Sequence, residues 1–163
     1  MQPVKTFLSY AHADESFKNE LLEFLNPMEG AGEIELWHDR EIIVGDEWSE
    51  EITKALDEAD LILFLISPSF LASGFINKVE IIRAMDRHKA KKARLVPVVI
   101  RNCDLNSHVI PGETYRIKDF QGVPTDMKPV NSWPLRDDAW MNVVKGLRLV
   151  VNKIRNSKAS FTS

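Results

Sequence analysis

Three stretches of this chain set polar side chains directly after apolar runs, and a parallel sheet exposes its chemistry at such places. The first is Ser9-Tyr10-Ala11-His12-Ala13-Asp14, which follows Val4-Lys5-Thr6-Phe7-Leu8. Taken by itself it is a loop with a helix cap at Asp14. The second is Trp37-His38-Asp39-Arg40-Glu41, an aromatic ring beside packed charges. Alone, that pattern is a solvated loop. The third runs from Ser67-Pro68 to Glu80, on a helix whose Phe75, Val79 and Ile82 turn toward the core. Glu80 stands near the helix start, where the helix dipole suits a carboxylate. Position alone favours an ordinary exposed helix glutamate.

Other chemistries are disfavoured by what the sequence contains. No Gly-x-Gly-x-x-Gly follows the first apolar run and no Walker lysine motif is present, which speaks against a dinucleotide fold or a P-loop enzyme. The four histidines are scattered, without metal-site spacing, so no metal is expected. A net charge of −3 leaves no basic footprint for nucleic acid. The single cysteine, Cys103, cannot form an internal disulfide and reads as a plain buried thiol in a reducing compartment. No signal-peptide pattern opens the chain, and the longest apolar run, Leu61-Ile62-Leu63-Phe64-Leu65-Ile66, is too short to span a bilayer. A cytoplasmic protein without a membrane partner is the expectation.

The elements that must position these residues alternate. Strands are expected over 4–9, 33–37, 61–66 and 94–100, with a short fifth near Phe120. The third is apolar throughout, the signature of a central parallel strand covered on both faces. Pro97 in the fourth needs a sheet position where one amide is dispensable. Helices are expected from Asp14 to a stop at Asn26-Pro27, around Ile52, Leu56 and Ala59, over 74–88, and over 137–155. The last carries Trp140, Val143, Val144, Leu147, Val150, Val151 and Ile154 on one face. Strand–helix alternation gives a mostly parallel sheet with helices on both sides. Its ligand crevice lies beyond the carboxyl ends of the strands.

Taken in order, these segments resemble the Toll/interleukin-receptor (TIR) domain family, in its bacterial, NAD-cleaving branch. Val4-Lys5-Thr6-Phe7-Leu8-Ser9-Tyr10-Ala11-His12 is similar to the family's first-strand signature. Trp37-His38-Asp39-Arg40-Glu41-Ile42, then Gly45-Asp46-Glu47-Trp48, resembles its BB loop and following helix. Ala59-Asp60 through Ser67-Pro68-Ser69-Phe70-Leu71-Ala72-Ser73 resembles the third strand and its exit. Arg94 to Asp104 resembles the fourth strand, and Gly122-Val123-Pro124 to Val130 with Trp133 the usual ending. The likeness covers residues 4 to 156.

The resemblance implies a flavodoxin-like three-layer α/β sandwich with a mostly parallel five-stranded sheet. Residues 1–156 would form the TIR domain and residues 157–163 a polar tail or linker. It implies an NAD+ nucleosidase that cleaves the nicotinamide–ribose bond, giving nicotinamide plus ADP-ribose or a cyclic isomer, often in anti-phage defence. NAD+ is then the substrate, with no separate cofactor. The family's catalytic glutamate corresponds to Glu80. Ser9, Tyr10, Trp37, Asp39, Arg40, Gly45, Trp48, Ser67 and Phe75 correspond to the pocket, with Arg40 toward the diphosphate and Tyr10, Trp37 and Phe75 toward the rings. A single carboxylate fits this chemistry. Nicotinamide departs neutral from a cationic ring, so no acid need protonate it, and a fixed carboxylate stabilises the oxocarbenium-like ribose. Several active members carry Trp or Cys four residues before the glutamate; here Ile76 stands there. The implied partners are other copies through TIR–TIR contacts and a fused or paired sensor domain. The alternatives are a non-catalytic TIR–TIR docking module and a nucleotide sensor that binds NAD without cleaving it.

Overall fold

The computed structural model describes residues 2–38, 50–73, 81–105 and 120–162. Among these residues four strands form the sheet: β1 (Val4–Ser9), β2 (Ile34–His38), β3 (Leu61–Ile66) and β4 (Arg94–Val99). All three pairings are parallel, and the order is β2-β1-β3-β4. Every residue of β3 is buried, as its unbroken apolar run requires.

The helices are α1 (Glu15–Gly30), α2 (Glu50–Glu58), α3 (Pro68–Ala72), α4 (Ile81–Lys89) and α5 (Arg136–Thr162). On one face of the sheet, Leu21, Leu25 and Met28 of α1 pack with Trp140, Val143 and Leu147 of α5 over Val4, Leu8, Leu63 and Val96. On the other, Ile52 and Leu56 of α2 and Ala84 and Met85 of α4 pack over Phe7, Ile62, Phe64 and Val99. This is the three-layer α/β sandwich expected from the alternation of elements.

The fifth strand is a correction. Among the described residues it reduces to one parallel bridge, Val98 to Val123. Val123 donates its N–H to the Pro97 carbonyl at 2.9 Å and accepts from Val99 N–H at 2.9 Å. The ladder stops there because Pro124 has no N–H and the next donor, Thr125 N–H, goes to Asn142 Oδ1 at 2.8 Å. Pro97 is explained by the same edge. Its carbonyl points outward to Val123, so its missing N–H also faces outward and costs the β3 ladder nothing.

α1 does not stop at Asn26-Pro27 as expected; Pro27 lies inside the helix. The extra turn carries Met28, 1% exposed, into the core, and that burial outweighs one missing hydrogen bond. Gly32, at φ +74, then reverses the chain into β2, with its N–H bonded to the Glu29 carbonyl. α5 runs to Thr162, beyond the expected end at 155. Lys158 on this extension pairs with Asp60 at 2.8 Å.

Candidate functional site

Strand order reverses between β1 and β3. The chain leaves β1 toward β2 on one side and returns to β3 on the other, which makes this the topological switch point where open α/β sheets bind ligands. Two elements leave the sheet there. After β1, a 3-10 turn at His12–Asp14 leads into α1. After β3, Ser67-Pro68 opens α3 with a serine at the N-cap and proline in the first turn. α3 is short and was not expected from the sequence, although Ser-Pro is a helix-start signal.

A buried polar cluster joins these exits. Asp14 is 0% exposed, and so is Ser67. Ser67 Oγ donates to Asp14 Oδ2 and accepts from Phe70 N–H at 3.0 Å. Arg101, just past β4, donates from Nε to Asp14 Oδ1 at 2.8 Å and from Nη2 to Ser69 Oγ at 2.7 Å. The expected helix cap at Asp14 is therefore a correction. Its side chain makes no cap hydrogen bond, because both carboxylate oxygens are taken by Ser67 and Arg101. Sequence reasoning missed Arg101. The available signal was a cation directly following an all-apolar strand, at the sheet end where an acidic residue also sits.

The other sequence-derived site residues are distributed as follows. Ser9 ends β1, 2% exposed, opposite Phe64 of β3. Tyr10 follows it and packs on the α1–α5 side, with Lys18 Nζ 5.3 Å from its ring centre. Trp37 lies on the opposite face, stacked on Phe7 at 4.9 Å and 14°. One side of its ring is thus taken up by packing. It borders a cavity of about 290 Å³ between β2 and α2, with Lys5, Lys54 and Glu58. Ser9, Tyr10 and Ser67 thus gather at the carboxyl ends of β1 and β3, while Trp37 lies across the sheet from Tyr10. Asp39, Arg40, Gly45, Trp48, Phe75 and Glu80 lie outside the described residues, as does Ile76.

A second cavity, about 670 Å³, opens beside the β4 edge and is lined by Cys103, Leu105, Phe120, Gly122 and Met127 among others. Burial pushes the Cys103 thiol up; Arg101 pulls it down, and Asp104 and Asp14 add to the rise. The thiolate is disfavoured, which fits a structural thiol better than a nucleophile. Among the described residues no group of three or more His, Cys, Asp or Glu side chains is placed to hold a metal ion. No helix among them is long and apolar enough to cross a membrane.

The model of the TIR domain family matches residues 6–131. The chain belongs to the TIR domain family. The match is to its bacterial type. An uncharacterized protein, y4lF, of Sinorhizobium fredii is 34% identical over 154 residues, covering 94% of this chain and 46% of its own length. The chain thus spans about half the length of the curated relative it matches. The TIR domains of the activated Roq1 resistosome, solved directly recognizing the pathogen effector XopQ, share the fold. Their TM-score is 0.50 at 21% identity, over 61% of this chain and 59% of that one.

Proposed function

We propose that this TIR domain is an NAD+ glycohydrolase, with Glu80 as its catalytic carboxylate and self-association as its activating step. The observation that carries the proposal is a glutamate at Glu80 in a TIR domain. In sequence it directly precedes Ile81, the first residue of α4 (Ile81–Lys89), and so falls between β3 and α4 in the chain. The carboxylate stabilises positive charge on the ribose as the C–N bond to nicotinamide breaks. Water then adds to the ribose carbon and releases a proton, giving ADP-ribose. If an adenosine nitrogen or a ribose hydroxyl of the same molecule adds instead, a cyclic isomer forms with the same proton released. The similar TIR domains belong to an activated resistosome, which supports activation by assembly. In a bacterial cell the role would be defence signalling, with the trigger sensed by another domain or a paired protein.

The test incubates concentrated protein with NAD+, with and without a crowding agent, and follows free nicotinamide by chromatography beside Glu80→Gln. Nicotinamide from the wild type and at least ~10²-fold less from the variant is expected for loss of a group that acts on the transition state. Equal release from both would remove Glu80 from the role. No release from the assembled wild type would leave the docking module, and a thermal shift with intact NAD+ would point to the sensor.

A further inference from the structure

We propose that the basic turn between α4 and β4 is a self-association surface that docks on the acidic start of α5 in a second copy of this chain. The proposal rests on the reading that copies of the domain associate, and does not depend on Glu80.

Residues 87–94 hold five cations, Arg87, Lys89, Lys91, Lys92 and Arg94, and no acidic residue. They carry a formal +5 in a chain of net charge −3, so the other residues sum to −8. Part of this needs no partner: Arg87 and Lys89 lie in the last turn of α4, where the helix dipole favours cations. Lys91 and Lys92 lie beyond the helix and are exposed, and their side chains have no ion pair or hydrogen bond among the described residues. The backbone there is fixed. Lys91 N–H bonds the His88 carbonyl and Lys92 N–H the Arg87 carbonyl, both at 3.0 Å, and Lys91 takes φ +57. Glycine is the usual residue at this left-handed position, since it has no Cβ to strain. The sequence gives up that ease for a cation. Position selects the partner. The turn leads into β4 at the amino ends of the strands, where Arg94 N–H bonds the Asp60 carbonyl. α5 begins at the opposite ends, since Asn131 N–H, shortly before it, bonds the Ile100 carbonyl just past β4. Its first turn presents Asp137 and Asp138, both exposed and without an ion pair or hydrogen bond among the described residues. A basic end and an acidic end on one molecule make a head-to-tail contact between copies, which extends as an open chain unless the rotation closes it. A nucleic acid fits less well, because the −8 outside the turn repels phosphates while it attracts the turn of another copy. Single surface ion pairs are weak, so the contact works as a cluster and depends on salt.

The test follows self-association of the full chain by sedimentation velocity at about 50 and 500 mM salt, a range over which exposed charges become screened. The variants are Lys91→Glu with Lys92→Glu, Asp137→Lys with Asp138→Lys, and Lys91→Gly, each first shown by thermal unfolding to be folded. The wild type should associate at low salt and about tenfold or more weaker at high salt. Each charge-reversed variant alone should associate about tenfold or more weaker than the wild type at low salt. Mixed in equal amounts, the two should regain wild-type association, because each then offers the end that the other lacks. Lys91→Gly should unfold no earlier than the wild type and still associate more weakly, which a lysine of purely structural role would not do. Reversed variants that associate like the wild type overturn the surface and leave self-association standing. A mixture that does not recover overturns the pairing with α5. No association of the wild type at either salt overturns both the surface and the self-association reading. Binding of a short DNA duplex, lost in Lys91→Glu with Lys92→Glu and without self-association, would put a nucleic acid on the turn instead.

Discussion

At the scale of single residues, Asp14 and Ser67 are fully buried and bonded to each other at the carboxyl ends of the strands, whereas the thiol of Cys103 is left unactivated. Cys103 sits two residues after Arg101, yet the arginine side chain is committed to Asp14 and Ser69. Desolvation is the largest influence on the thiol and disfavours the thiolate. Since only the thiolate reacts, iodoacetamide at neutral pH should label Cys103 more slowly than it labels glutathione. The rate should still be climbing where a free thiol has levelled off. Cys103→Ser should leave nicotinamide release within about twofold, the ordinary outcome away from the chemistry. Labelling faster than glutathione would mean that an activating group reaches the sulfur. Single residues also mark what the sequence could and could not disclose. That Ser9, Tyr10 and Ser67 gather at the ends of β1 and β3 is legible because polar residues ending apolar strands are a local pattern. The role of Arg101 is not, because its meaning depends on Asp14, 87 residues away.

At the scale of elements, periodicity located the strands and the faces of α1, α2 and α5, and failed where two elements compete for the same atoms. The fifth strand is the clearest case, since Thr125 N–H can serve a ladder or Asn142, and Asn142 takes it. α5 presses on this same corner through Gly146. A Cβ built there meets Val123 Cγ1 at 2.6 Å. On helix propensity alone, Gly146→Ala would stabilise α5 by about 1 kcal/mol. The contact reverses the sign, because forcing a methyl against the bridging residue overpacks the junction by typically 1–3 kcal/mol. Urea unfolding of Gly146→Ala should therefore show a net loss. Adding Val123→Ala should recover much of it, as the double variant makes room for the new methyl. A simple gain in the single variant would show that α5 can move off the sheet edge without cost.

At the scale of the whole molecule, the fold was legible because alternation of strand and helix leaves few topologies, and the switch point follows from the strand order. The coupling of α4 to the sheet was not legible, since it depends on a side chain that serves as a backbone acceptor. His88, in the last turn of α4, accepts Leu95 N–H of β4 on Nδ1 at 3.3 Å and meets the Phe120 ring edge-on at 5.3 Å. An imidazole that accepts on Nδ1 is neutral there, with its proton on Nε2. Burial, and then the charge of Arg94, hold its pKa below the ordinary histidine value. The sign of the linkage follows. Below about pH 6.5 the unfolded chain takes up a proton that the folded one refuses, so stability falls with pH through the lowered folded value. Protonation also ends the bond from Leu95 and loosens α4 from β4. His88→Asn removes the titration while placing a carbonyl oxygen near the position of Nδ1. Between pH 8 and pH 5 the wild type should lose more stability in urea than this variant, by about 1 kcal/mol, the net worth of one such hydrogen bond. At pH 8 the two should respond to pH alike, and carboxylates shared by both cancel in the comparison. Parallel curves down to pH 5 would show that His88 stays neutral or that its bond to Leu95 contributes nothing to holding α4 on the sheet.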